Sequence, residues 1–93
     1  MKKITMLRMQ GCPYCAQADR AIHEIKSKSP LLDDVQIEMI DTRLQPTQAA
    51  KYEDKYYYVP TIFVDDEKIY EAHPGESYGE CLMHVRQVFS AAE

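Results

Sequence analysis

Between residues 4 and 41 the chain changes its hydrophobic period twice, and this restricts the available topologies more than any other feature. The stretch "ITMLRM" (4–9) reads as a strand, with Ile4, Met6 and Leu7 as candidate core side chains. After Cys12 the period lengthens. Ala18, Ala21, Ile22 and Ile25 recur at helical spacing, while Gln17, Asp19, Arg20, His23, Glu24 and Lys26 take the opposite face, which predicts an amphipathic helix. Pro13 suits its first turn, where no backbone N–H is required, and Ser29-Pro30 ends it. "VQIEMID" (35–41) then alternates apolar and polar with period two, a second strand. Strand, helix and strand in so short a span predict a right-handed parallel crossover.

The remainder adds to that sheet. A turn through Thr42 to Pro46 leads into a polar helix near Thr47 to Lys55. "TIFVDDEKIYE" (61–71) predicts a hairpin: Ile62, Phe63 and Val64 go in, Asp65-Asp66 turns, and Lys68 to Glu71 returns. A closing helix from Ser77 to Ala91 places Tyr78, Cys81, Leu82, Val85, Val88 and Phe89 on one stripe. Ser77 and Glu80 have the spacing of a capping box. The order β-α-β-α-β-β-α predicts an α/β fold with a four-stranded mixed sheet flanked by helices on both faces. With 93 residues the expectation is a single domain over 1–93.

Charge and composition narrow the function classes. A formal net charge of −4 and few clustered cations argue against a surface that tracks nucleic-acid phosphates. No apolar run approaches the roughly 20 residues needed to span a bilayer, and Arg8 interrupts "MKKITML" before a signal-peptide core could form. The expectation is therefore a cytoplasmic protein without nucleic-acid or membrane partners. Three cysteines are an odd number and too few for a disulfide-framed scaffold. A close thiol pair in a reducing compartment points instead to redox chemistry or metal binding.

That pair is Cys12 and Cys15, in "GCPYCAQ". Cys12 falls at the junction of strand and helix and Cys15 in the first turn. The unpaired N–H groups and the positive end of the dipole at a helix N-terminus favour a thiolate. Cys12, the more exposed, is the expected nucleophile, and Cys15, a turn inward, is placed to resolve a mixed disulfide. Pro13 stiffens the turn and Tyr14 lines the approach. Arg8 reads either as a strand-end charge or, near the thiolate, as a group that holds Cys12 ionised or meets a carboxylate. The competing reading is zinc: Cys12, Cys15, Cys81 and His84 could form a tetrahedral set. Against it, Cys81 lies on the apolar stripe of the last helix, where a small buried thiol needs no other explanation.

The element order, with "CPYC" (12–15) after the first strand and "YVPTIFV" (58–64) opening the third, resembles the glutaredoxins of the thioredoxin superfamily. The resemblance implies a thioredoxin-like fold and a dithiol–disulfide oxidoreductase acting as a monomer on protein or glutathione mixed disulfides, without a bound cofactor. It implies a cis Val59-Pro60 bond facing the thiols, with the Val59 backbone pairing with substrate beside Tyr58. Glutathione is then the expected electron donor. The chain departs from the glutaredoxin pattern in two places. Met9 stands where many members carry a glutathione-holding lysine, and "IYEAHPGES" contains Gly75 but no Gly-Gly pair. That ending looks more like a thioredoxin, for which a thioredoxin-reductase-like flavoenzyme is the donor.

The other residues have plainer readings. His23, His73 and His84 are expected at the surface or core boundary, and Asp65-Asp66-Glu67 forms a hairpin tip. Of Tyr56, Tyr57 and Tyr58, at least one is expected to be buried. The alternative is an aromatic wall beside the exchange groove.

Overall fold

A computed structural model describes residues 1–93. The elements follow in the order β1 (Ile4–Arg8), α1 (Pro13–Lys28), β2 (Ile37–Asp41), α2 (Pro46–Ala49), β3 (Thr61–Val64), β4 (Glu67–Glu71) and α3 (Tyr78–Ala92), with 3₁₀ turns at Pro30–Leu32 and Ala50–Tyr52. The strands are ordered β2-β1-β3-β4. β1 and β2 run parallel, with Ile4 opposite Ile37 and Arg8 opposite Asp41. β3 is antiparallel to β1, with Met6 opposite Ile62, and to β4. This is the four-stranded mixed sheet expected from the period changes.

Alternation along the strands divides the core in two. Ile4, Met6, Ile62 and Val64 point to one face, where they pack with Ala18, Ala21, Ile22 and Ile25 of α1 and Cys81, Val85, Val88 and Phe89 of α3. Leu7 and Phe63 point to the other, against Ile40, Ala49 and Tyr52. Each large apolar side chain taken from water here contributes about 1.5–3 kcal/mol. Helices therefore cover both faces, two long ones on one side and a short segment on the other.

The short segment departs from expectation. The helix predicted from Thr47 to Lys55 is one α-turn at Pro46–Ala49 continued by a 3₁₀ turn to Tyr52. Only Ala49 and Tyr52 are buried there, so nothing apolar holds further turns against the sheet. Two strands are also shorter than predicted: β1 ends at Arg8, and β2 begins at Ile37, where pairing with Ile4 starts.

Both long helices start where the sequence indicated. Pro13 opens α1. Ser77 caps α3 in a complete box, its Oγ accepting the Glu80 N–H at 3.1 Å and its own N–H donating to Glu80 Oε1 at 3.3 Å. In the hairpin tip Asp65 takes a positive φ of 53°, which Asp tolerates better than most residues. No helix is long and apolar enough to cross a membrane.

Candidate active site

The C-terminal end of β1 and the first turn of α1 place the two thiols. Gly11, at φ 80°, turns the chain from strand to helix in a region that other residues avoid. Asp41, at the end of the neighbouring strand, supports this approach by accepting the backbone N–H groups of Leu44 and Arg43 at 2.9 Å and of Gln10 at 3.1 Å. Those donors hold its carboxyl below the usual range, the Leu44 N–H most strongly.

Cys12 is itself the N-cap of α1. Its backbone is extended, and its Sγ accepts the Cys15 N–H at 3.1 Å. The sulfur thus occupies the position usually taken by a Ser or Asp oxygen, receiving one of the unpaired N–H groups of the first turn. Cys12 is half-buried, whereas Cys15 is fully buried. The Cys15 thiol is pushed up to about 12, first by burial and then by its hydrogen bond with Cys12. Two thiols in one turn therefore have different chemistry: one reachable and bonded by a backbone donor, the other enclosed and held protonated.

The loop before β3 faces this pair. The Val59-Pro60 bond is cis, as the resemblance implies, and the Cys12 thiol lies 3.8 Å from the Val59 carbonyl oxygen. Pro60 is buried and Val59 half-buried. Thr61 Oγ1 donates to the Tyr58 carbonyl at 2.5 Å, fixing the residues just before Pro60. Residues 47 apart in sequence meet here.

Tyr14 is half-buried, and its hydroxyl accepts the Gly75 N–H at 2.8 Å. Two residues of the CPYC helix thus hold the loop before α3, since Gln17 Nε2 also reaches the Glu76 carbonyl at 3.4 Å. The Arg8 guanidinium is engaged by Asp19 of α1 at 2.7 Å, an internal carboxylate partner that sequence spacing gave no reason to choose.

The four residues of the zinc reading do not assemble. No three Cys, His, Asp or Glu side chains form a group able to hold a metal. Cys81 is buried 3.5 Å from the Tyr70 hydroxyl, burial pushing its thiol up, and His84 stacks on the Tyr70 ring at 5.5 Å. The reason lies in the apolar stripe of α3, which turns Cys81 into the core. His73 is exposed and pairs with Glu80 at 3.1 Å.

The tyrosine run also differs from expectation. None of the three is fully buried: Tyr56 is half-buried, and Tyr57 and Tyr58 are exposed. The tyrosines that fill the core are Tyr52 and Tyr70. Glu71 was missed by sequence reasoning. Its Oε2 accepts both the Tyr57 N–H at 2.5 Å and the Tyr58 N–H at 2.7 Å. Burial alone would push this carboxyl up, but Lys68 and the two N–H groups more than offset it and hold it low. Glu76 was missed as well. It is buried, with Oε1 accepting the Tyr70 hydroxyl at 2.5 Å and Oε2 without a partner.

Comparison with solved structures places this geometry in a known fold. A thioredoxin from Fasciola hepatica matches with a TM-score of 0.61 at 14% identity, covering 97% of this chain and 79% of the other. Thioredoxin 1 from the thermophilic eubacterium Thermosipho africanus TCF52B matches at 0.57 and 21%, covering 97% of both chains. Reduced Escherichia coli glutaredoxin matches at 0.53 and 23%, covering 95% of this chain and 98% of the other. No family model matches the sequence, and no curated protein does. At these identities the likeness establishes the architecture: the chain has the thioredoxin fold, in the form that thioredoxins and glutaredoxins share.

Proposed function

We propose that this chain is a glutaredoxin-like dithiol–disulfide oxidoreductase of the cytoplasm, working as a monomer on protein or glutathione mixed disulfides. The observation that carries this reading is the asymmetry of the two sulfurs: Cys12 is accessible and accepts a backbone N–H, while Cys15 is fully buried, which pushes its thiol up to about 12. The fold and the cis proline loop across from Cys12 support the same reading.

In the proposed reaction Cys12 Sγ, as thiolate, attacks one sulfur of the substrate disulfide. That S–S bond breaks, a Cys12–substrate bond forms, and the departing thiolate takes a proton from solvent. Cys15 then loses its proton and attacks Cys12 Sγ. The Cys12–Cys15 disulfide closes as the second substrate thiol leaves. Two electrons and two protons have passed to the substrate, and no resident cofactor or metal takes part. Pro13 stiffens the turn, Tyr14 borders it, and Tyr58, Val59 and Pro60 form the opposite wall, where the Val59 backbone pairs with an extended substrate. Arg8 acts on the site through its pairing with Asp19. Two glutathione molecules, oxidised to glutathione disulfide, return the electrons. The second donor is a thioredoxin-reductase-like flavoenzyme, favoured by the absence of a Gly-Gly pair around Gly75.

Mass spectrometry after exposure to glutathione disulfide tests the reading. The wild type is expected to lose two hydrogens, Cys15→Ser to retain a glutathione adduct on Cys12, and Cys12→Ser to form neither product. Recovery with glutathione alone identifies glutathione as donor, whereas an oxidised protein that resists it points to the flavoenzyme. Unreactive thiols in the native wild type would overturn the oxidoreductase reading.

A further inference from the structure

We propose that Tyr57 and Tyr58 select the substrate, favouring polypeptide disulfides that carry an aromatic or large aliphatic side chain beside the reacting cysteine. This rests on the thiol–disulfide reading above and adds to it the chemical class of the substrate.

The two rings are the only strongly exposed aromatics of the chain. Tyr57 is 83% and Tyr58 44% exposed, while every other Tyr and Phe is half-buried or buried. The rings meet edge to face with centroids 4.8 Å apart. Contiguous apolar surface kept in water commonly marks a binding face, and tyrosine is enriched at binding centres because it offers a large rigid surface for little conformational entropy.

Their backbone is fixed on both sides. Both N–H groups end on Glu71 Oε2, Lys68 holds the other Glu71 oxygen at 2.8 Å, and Thr61 holds the Tyr58 carbonyl. A ligand meeting the rings would not have to order this strand entry first, so less binding energy is lost.

Position joins the rings to the chemistry. Tyr58 immediately precedes Val59, whose carbonyl oxygen lies 3.8 Å from Cys12 Sγ. One or two residues span roughly 4–8 Å of chain, within reach of a side chain flanking a disulfide on Cys12. Two of the nearby charges are already used: Glu71 by Lys68 and Arg8 by Asp19. Neither pair leaves a free charge to draw a small ionic disulfide, whereas an apolar flanking side chain gains burial against the rings.

The test is single-turnover reduction by the pre-reduced protein. Its substrates are two disulfide-bonded peptides identical except for Phe or Ser beside one cysteine, with bis(2-hydroxyethyl) disulfide as a small probe. The wild type is expected to react about tenfold faster with the Phe peptide, through a lower half-saturating concentration and not a higher limiting rate. In Tyr57→Ser, whose fold is checked by circular dichroism, the Phe-to-Ser ratio is expected to fall to within about twofold of one. Such a contrast is the scale of an aromatic pair, about 1.4 kcal/mol for tenfold. Equal rates on the two peptides in the wild type, or a preference retained in both Tyr57→Ser and the Tyr57→Ser/Tyr58→Ser double variant, would overturn aromatic selection alone if the small probe is still reduced. Failure to reduce any of the three disulfides would remove the oxidoreductase reading and the selection with it.

Discussion

The sulfur of Cys12 and the backbone N–H of Cys15 lie 3.1 Å apart, so one cysteine caps the helix turn in which the other is buried. The cap bond and the burial act on different sulfurs, and this separates the two thiols in the way their positions at the helix start suggest.

The first consequence is selective alkylation. Iodoacetamide at pH 8 under native conditions is expected to add one equivalent, at Cys12. Cys15 and Cys81 are fully enclosed, and raising a thiol from 9.0 to about 12 lowers its thiolate fraction about a thousandfold. Peptide mapping by mass spectrometry reads the site, and three equivalents entering at similar rates would contradict the structure.

Alkaline pH should weaken the fold. Burial raises the thiols of Cys15 and Cys81 and the hydroxyl of Tyr70, so the native state keeps protons that the unfolded chain releases. Above about pH 9 the unfolded state binds fewer protons, and stability falls as pH rises. Below about pH 8 these groups are protonated in both states and contribute no slope. Urea midpoints at pH 7, 9 and 10.5 should decrease in that order, and Cys81→Ala should flatten the decline. A midpoint constant from pH 7 to 10.5 would refute this.

Tyr70→Phe tests the buried carboxylate. Tyr70 supplies the hydrogen bond to Glu76 Oε1, and Oε2 already lacks a partner. Removing the hydroxyl leaves a buried acid with no side-chain donor, which costs about 1–3 kcal/mol. Replacing the acid too, in Tyr70→Phe/Glu76→Leu, should recover part of the loss. Denaturant midpoints for the two variants decide it.

Thr5→Val should go the other way. Thr5 is fully buried in β1, and its Oγ1 has no hydrogen-bond partner. Valine has nearly the same shape without the unpaired hydroxyl, so a gain of about 1 kcal/mol is expected. It should appear as a higher urea midpoint at unchanged slope.

The sequence by itself determined what depends on neighbours a few residues apart. Helical spacing marked the buried faces of α1 and α3, Ser77 and Glu80 marked a cap, Asp65-Asp66 marked a turn, and CPYC marked a helix start with two cysteines in its first turn. Each is local, because backbone period, capping and turn geometry are set within one or two turns of chain. Tertiary structure decided the rest. Nothing between Arg8 and Asp19 foretells their ion pair, and the burial of Glu76 under Tyr70 follows only from how β4 and α3 meet. The same packing kept Cys81 and His84 away from Cys12, and it left Tyr57 and Tyr58 in water while Tyr52 filled the core. Periodicity indicates which face a residue takes but not what lies opposite, since that is fixed only when the sheet order β2-β1-β3-β4 brings distant segments into contact.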